Sequence, residues 1–274
     1  VSAHTSLCCW PIYKYGTEDQ KMKYLPELLS GKKLGAFGLT EPNAGTDASG
    51  QQTRAELDGD EWVLNGAKCF ITNGGYAEVF VVMAMTDKSK GNHGISAFIV
   101  EKNDPGFSIG KTEDKMGICA SSTTELIFQN CRIPKDRLLG GLGKGFKVAM
   151  QTLDGGRIGI ASQALGIAEG ALEVTIEYMK QRKQFGKKLA QMQALQFVVA
   201  DLATKVEAAK LLVLKSAFCE DAGLPYGVPA AMAKLFAAET AMEVTTKAVQ
   251  IFGGYGYTRE YPVERMMRDA KITE

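Results

Sequence analysis

The sequence predicts an α+β chain of more than one domain, in which a helical stretch, a β-rich stretch and an antiparallel helical bundle follow one another. Three observations carry this. Residues 34–135 hold short β-rich runs bounded by Gly, Asn, Asp and Pro, with no helical pattern between them. From about Gly143 the apolar period switches to helical and stays so. At 274 residues, with 45% hydrophobic and 23% charged residues, the chain has the length and composition for two domains or one large core.

Taken in order, residues 1–33 read as helical, with Thr17-Glu18-Asp19-Gln20 as a capping signal ahead of Met22, Tyr24, Leu25 and Leu28-Leu29. In residues 34–135, Asp58-Gly59 and Asn65-Gly66 are hairpin-type dipeptides flanking Glu61-Trp62-Val63-Leu64. Val79–Met85, Ile95–Val100 and Thr124–Ile133 are further strands, and strands at this spacing predict an antiparallel sandwich or barrel. Residues 136–274 then hold three long helices. Ile158, Leu165, Leu172 and Met179, with Ala161 and Ala168, mark the face of the first. Leu195, Leu202, Val206, Ala209 and Val213 mark the second, and Ala231, Leu235, Ala238, Met242 and Val249 the third. Gly223-Leu224-Pro225 breaks the last pair, and long helices with short joints make an antiparallel bundle.

Charge and cysteine usage exclude several classes. With 32 basic against 31 acidic residues, the chain lacks the electrostatic footprint of a nucleic-acid or membrane-surface protein. Its six cysteines form no C-x-x-C pair, and only His4 and His93 could join them at a metal, so zinc is not expected and the thiols read as buried or free. No apolar run approaches a membrane span, and Val1-Ser2-Ala3-His4 lacks the features of a signal peptide.

Several segments carry chemistry-bearing residues. Phe37-Gly38-Leu39-Thr40-Glu41-Pro42-Asn43-Ala44-Gly45-Thr46 mixes glycines, which free backbone N–H groups to turn inward, with hydroxyl donors. That suits a pyrophosphate or a flavin edge, or simply a structural turn; it is neither a P-loop nor a Rossmann fingerprint. In Lys68-Cys69-Phe70-Ile71-Thr72-Asn73, pattern alone places Phe70 and Ile71 in the sheet core. Asp154-Gly155-Gly156-Arg157 puts two glycines in a helix at a cost of about 1 kcal/mol each, offset either by close packing or by a ligand beside Arg157. Arg182-Lys183-Gln184-Phe185-Gly186 reads as a solvated basic loop on charge alone. In Glu260–Asp269, a short helix opening near Pro262 would carry the i,i+4 pairs Glu264/Arg268 and Arg265/Asp269.

Two of these strings resemble the sequence signatures of the acyl-CoA dehydrogenases: Leu39-Thr40-Glu41-Pro42-Asn43-Ala44-Gly45-Thr46-Asp47, and the run from Gln250-Ile251-Phe252-Gly253-Gly254-Tyr255-Gly256-Tyr257 through Pro262, Arg265, Arg268 and Asp269. The resemblance covers essentially the whole chain, and Ser121–Phe128 and Gly253–Arg268 are most similar to bacterial butyryl-CoA (short-chain) dehydrogenases. It implies a fold of three parts: the tail of an N-terminal helical domain (1–33), a flavin-binding β domain (34–135) and a C-terminal four-helix bundle (136–274). FAD would sit between β domain and bundle, at a dimer contact within a tetramer that is a dimer of dimers.

By the same resemblance Phe37–Thr46 lines FAD, with Thr46 also near the acyl-CoA, and Phe70, Ile71 and Thr72 meet the isoalloxazine. Asp154, Gly155, Gly156 and Arg157 bind the CoA thioester. Arg182, Phe185 and Gln193, eleven residues after Arg182, contact FAD phosphates and adenosine from a neighbouring subunit, together with Gln250, Ile251, Phe252, Gly253 and Gly254. The catalytic glutamate would fall three residues beyond Glu274, and the position some relatives use for another base is Gly156, so the segment on its own is expected to be inactive.

The implied reaction is FAD-dependent α,β-dehydrogenation of a short-chain acyl-CoA to the trans-2-enoyl-CoA, with electrons passed to an electron-transferring flavoprotein. The implied setting is fatty acid metabolism in the bacterial cytoplasm, or the mitochondrial matrix in a eukaryote. Two alternatives stand beside it: an oxidase-type relative that hands electrons to oxygen, and a non-catalytic CoA-binding or assembly partner.

Overall fold

The computed structural model describes all residues, Val1–Glu274. Its contacts divide the chain into two compact units, Val1–Asp114 with Cys119–Gly156, and Lys115–Ile118 with Arg157–Glu274.

The first unit opens with a π-helical run, Ala3–Cys9, followed by α1 (Trp10–Tyr15) and α2 (Glu18–Leu29). Thr17 caps α2 as its sequence foretells: its hydroxyl accepts from Gln20 N while the Gln20 side chain accepts from Thr17 N. His4 ties this helical stretch to the next strand by accepting a hydrogen bond from Gly35 N at 2.8 Å.

The strands are β1 (Gly35–Gly38), β2 (Arg54–Asp58), β3 (Glu61–Thr72), β4 (Val79–Met85), β5 (Ile95–Glu101), β6 (Phe107–Thr112), β7 (Thr123–Pro134) and β8 (Leu138–Leu139). They form one sheet in the order β6-β7-β3-β2-β4-β5-β8, with β1 beside β4. The pairing is antiparallel except for β1 with β4 and a single β2–β4 step, both parallel. Strands β4 and β5 are buried on both faces, which is why they read as continuous apolar runs. Val79, Val81, Met83, Ile95, Ala97 and Ile99 pack against the helical stretch and Val148-Ala149. Phe80, Val82, Phe98 and Val100 pack against Trp62, Leu64, Leu126, Phe128 and Ile133.

Asp58-Gly59 makes the expected hairpin, Asp58 pairing with Glu61 around Gly59 at φ 61°. Asn65-Gly66 does not. It is a bulge within β3, where the register to β7 shifts between Leu64 and Gly66. Gly66 has φ 145°, and a Cβ there would lie 2.6 Å from Thr53 Cα, so close backbone approach rather than a turn requires glycine.

A single helix, α3 (Gly145–Gln181), gives its first turns to the first unit and the rest to the second. A two-strand hairpin follows, β9 (Lys183–Gln184) with β10 (Lys187–Lys188), then α4 (Gln193–Asp221), α5 (Gly227–Phe252) and the short α6 (Val263–Ala270). The faces expected for the first two long helices are the buried ones, with Ala161 and Ala168 fully covered and Leu202, Val206, Ala209 and Val213 in the same core. On α5 the expected face is only partly the buried one: Ala238 is buried and Met242 and Val249 pack against the core, but Ala231 is exposed. Leu235 is 59% exposed, whereas Ala233, Ala237, Ala241, Val244 and Ala248 are buried. Close helix contact here selects small side chains, so Leu235 does not mark the core.

On α6 Glu264 and Arg268 form their ion pair at 2.8 Å. Asp269 instead accepts from Ile118 N at 2.6 Å, and Arg268 donates to Met116 O at 2.7 Å. A Cβ on Gly117 would sit 2.3 Å from Arg268 O, so the segment Lys115–Ile118 lies against α6 backbone and belongs to its unit.

Candidate cofactor and thioester surfaces

In the first unit the segment 37–46 leaves β1 and turns sharply, Glu41 and Ala44 exchanging backbone hydrogen bonds at 3.1 Å. Phe37, Gly38, Leu39, Glu41 and Ala44 are buried, so the side chains this segment offers to a ligand are those of half-buried Thr40 and exposed Pro42, Asn43 and Thr46, beside exposed Gly45.

Glu41 turns inward onto Lys68, which is fully buried. Lys68 Nζ donates to Glu41 Oε1 (2.7 Å), Gln51 Oε1 (2.9 Å) and Leu39 O (3.0 Å). Three acceptors around one nitrogen match the three N–H donors of an ammonium. Glu41 also accepts from Gln52 N at 2.6 Å and Thr53 N at 3.1 Å. Burial pulls Lys68 down to about 8, and the Glu41 carboxylate beside it works against that and favours the charged form. Burial also pushes Glu41 upward, but the Lys68 charge and the donors around it outweigh that and hold it below the ordinary carboxylate value.

Strand β3 bulges a second time, between Lys68 and Ile71. Cys69 N donates to Thr40 O at 2.9 Å, Phe70 takes φ 58° and is 64% exposed, and Ile71 returns to the core. Pattern alone placed Phe70 and Ile71 together in the core; the bulge separates them and re-aims the aromatic ring outward. Thr72, paired with Thr123, is exposed one residue further on. The result is an exposed aromatic ring in a strained backbone near two threonines. It suits a planar group with hydrogen-bonding edges.

On α3, Gly156 is buried, and a Cβ there would lie 2.8 Å from Leu7 Cδ2. Packing therefore accounts for this glycine. By contrast nothing lies within 4 Å of a Cβ on Gly166. Asp154, Gly155 and Arg157 are half-buried on the same helix.

In the second unit a cavity of about 450 Å³ is lined by Arg182, Gln184, Ile251, Phe252, Gly253, Gly254 and Tyr255, among others. Helix α5 ends at Phe252, and Gly253 follows at φ 63°; nothing lies within 4 Å of a Cβ on Gly253 or Gly254, which leaves their backbone open. The Arg182 guanidinium stands 5.3 Å from the Tyr255 ring centroid. Tyr178 stacks on Phe252 at 3.9 Å, with Tyr261 edge-on to both. The basic loop is the β9–β10 hairpin. Its tip, Phe185 at φ 52°, is 93% exposed and is followed by Gly186 at φ 72°. Gln193 opens α4 and Gln250 lies on the last turn of α5, both exposed. Cationic side chains, open backbone and a projecting ring suit a ligand with a phosphate and an aromatic base.

Two groups carry no signal that assigned them a role in advance. Lys68 and Gln51 are ordinary residues of a strand and a loop until folding brings them to Glu41; the one hint is a lysine inside an otherwise apolar strand run. The aromatic cluster of Tyr178, Tyr255 and Tyr261 is spread over three elements, with nothing in local spacing to link it.

Comparison with known proteins places these surfaces in context. Three family models match: Acyl-CoA dehydrogenase, N-terminal domain, over residues 1–32; the middle domain over 36–131; and the C-terminal domain over 143–274. The chain is 63% identical over 274 residues to "Acyl-CoA dehydrogenase, short-chain specific" of Clostridium acetobutylicum, covering 100% of this chain and 72% of that protein. It superimposes on the butyryl-CoA dehydrogenase structure from Megasphaera elsdenii with a TM-score of 0.98 at 62% identity, covering 99% of this chain and 71% of that one. A structure described as the electron transferring flavoprotein of Acidaminococcus fermentans contains a chain matching with TM-score 0.99 and 63% identity, covering 99% and 72%.

Proposed function

The chain belongs to the acyl-CoA dehydrogenase family, and on that premise we propose that the surfaces described above are its FAD and acyl-CoA contacts. The activity of the protein carrying this chain is the FAD-dependent α,β-dehydrogenation of a short-chain, butyryl-CoA-like acyl-CoA to the trans-2-enoyl-CoA, with electrons leaving for an electron-transferring flavoprotein. FAD, when bound, supplies the acceptor for the β-hydrogen as hydride.

The residues fit such a cofactor. In the first unit Phe70 offers a ring face, Thr40 and Thr72 offer hydroxyls, and Thr46 lies on the exposed side of the turn, toward the thioester in our reading. Oriented donors on a preorganised backbone are what a developing enolate oxygen requires. In the second unit Arg182, Gln184, Ile251, Phe252 and the open backbone of Gly253-Gly254 line a cavity suited to phosphate and adenosine, and we assign exposed Phe185, Gln193 and Gln250 to the same ligand. We assign this second surface to the FAD of a neighbouring protomer in a dimer of dimers. Asp154, Gly155, Gly156 and Arg157 are assigned to the CoA thioester. The same reading divides the chain into residues 1–33 of an N-terminal helical domain, a β domain over 34–135 and a helical domain over 136–274, and places the protein in the cytoplasm. No helix is long and apolar enough to cross a membrane.

The observation that carries the reading is Phe70, an exposed aromatic at φ 58° that the fold holds in place without burying it. Strain of this kind clusters at active sites and ligand clamps. The test is spectroscopic. Protein carrying this chain, purified without added flavin, is expected to be yellow, and anaerobic butyryl-CoA should bleach its long-wavelength band. Reoxidation should be slow in air and fast with an electron-transferring flavoprotein; fast reoxidation by oxygen would mark an oxidase. A colourless protein that takes up no FAD overturns the assignment.

A further inference from the structure

We propose that Lys68 and Glu41 are a positioning pair, whose buried ion pair locks the loop running from Leu39 to Thr53 onto strand β3 and so sets the backbone that presents Thr40 and Phe70 to FAD. The inference rests on the reading of Thr40 and Phe70–Thr72 as a cofactor surface.

Neither side chain reaches solvent: Lys68 is 0% and Glu41 4% exposed in their side chains, so the pair is not itself a ligand contact. Its bonds all run to the loop. The ammonium holds Leu39 O on one side of Thr40 and the Glu41 carboxylate on the other, and it reaches across to Gln51 Oε1. The carboxylate then takes Gln52 N and Thr53 N, which closes the far end of the loop. One residue after Lys68, Cys69 N binds Thr40 O at 2.9 Å, and the next residue is Phe70 at φ 58°. The loop and the bulge are thus fixed to each other through four acceptors on the loop, Leu39 O, Thr40 O, the Glu41 carboxylate and Gln51 Oε1, held by Lys68 Nζ and Cys69 N on the strand.

An apolar pair of similar volume would hold the loop to the sheet at a lower desolvation cost, since buried ion pairs often lose to hydrophobic replacements. What an apolar pair lacks is direction. It would let the loop slide by fractions of an ångström, whereas acceptors set around one ammonium permit one arrangement. Buried charge retained at the edge of a ligand surface therefore points to geometry rather than stability, in the way that supporting hydrogen bonds hold first-contact residues elsewhere.

The experiment is FAD titration into the apo form of the protein carrying this chain, comparing parent with the double variant Glu41→Gln/Lys68→Met. The double variant removes both charges together and so avoids a lone buried ion. It is expected to keep the parent's circular dichroism and unfolding midpoint to within about 4 °C, yet to bind FAD about tenfold more weakly, with the vibronic shoulder of the bound flavin band blurred. Parent affinity with an unchanged flavin band in the double variant overturns the proposal. Should the double variant fail to fold, Gln51→Met decides: it removes one acceptor and leaves the ion pair. A loss of FAD affinity of about threefold or more at an unchanged midpoint supports the proposal, and parent affinity overturns it. A parent protein that binds no FAD would count against the functional reading instead, so the two failures are distinct.

Discussion

Phe70 shows how one residue can be held against its own preference. A bulky residue at positive φ costs about 1–2 kcal/mol, and here the ring recovers little of that by burial because it is 64% exposed. The conformation survives because both neighbours are fixed: Cys69 by Thr40 O and Ile71 by the core. Replacing Phe70 by Gly relieves the strain but frees the unfolded chain, and the two effects are of similar size. We therefore expect Phe70→Gly to leave apo stability within about 1 kcal/mol of the parent while weakening FAD binding about tenfold. Thermal unfolding of the apoprotein and a flavin titration check the two halves; a large loss of stability with normal FAD binding would make Phe70 a folding residue. The thiols behave differently. Burial pushes Cys8 upward, Cys9 to about 11 and Cys131 to about 12, so each stays protonated at neutral pH and serves as a small apolar side chain.

Among the elements, the strands follow the alternation and the run lengths that the sequence displays, and so does the capped helix α2. The exceptions have local causes. Asn65-Gly66 carries a turn signal, yet strand β7 continues beside it and Asn130 N binds Asn65 Oδ1 at 2.8 Å, so pairing overrides the dipeptide. On α5 almost every position is apolar or small, which leaves the period legible but not its phase. Contact with α4 and α3 settles the phase on Ala233, Ala237 and Ala241. Overpacking that face is expected to cost about 1–3 kcal/mol, so Ala237→Leu should lower the urea midpoint. Ala231→Leu, on the exposed side, should stay within about 0.5 kcal/mol of the parent. Equal effects from the two would return the core to the face the sequence suggested.

For the molecule as a whole, charge is nearly balanced, and its pH response comes from individual carboxylates. Glu27, Asp87 and Glu264 are held below their ordinary values chiefly by hydrogen bonds from Lys33, Lys90 and Arg268. Burial pushes Glu41 and Glu101 upward, yet Lys68 for the first, and Lys23 with Tyr24 and Arg137 for the second, bring both below. A depressed folded value means stability that is present above about pH 4.3, the unfolded value for Glu, and lost as pH falls through the folded value, about 2 for Asp87. Burial raises Asp104 and Glu220, which works the other way, but they are outnumbered. The urea midpoint should therefore change little between pH 7 and 5 and fall steadily below about pH 4; a midpoint constant to pH 3 would refute this. The sequence alone determined the class of fold, the order of helical and β regions, the faces of α3 and α4, and the segments Phe37–Thr46 and Arg182–Gly186 as the places to look for chemistry. These are written in local period and in strings of adjacent residues, which act before the chain folds. Tertiary structure alone decided which side chains in those segments remain reachable, that Glu41 turns from the surface to Lys68, that Phe70 leaves the core its pattern assigns it, and that Leu7 fills the space beside Gly156. Each of these depends on residues far apart in the chain meeting at hydrogen-bond or van der Waals distance, and no local pattern encodes such meetings.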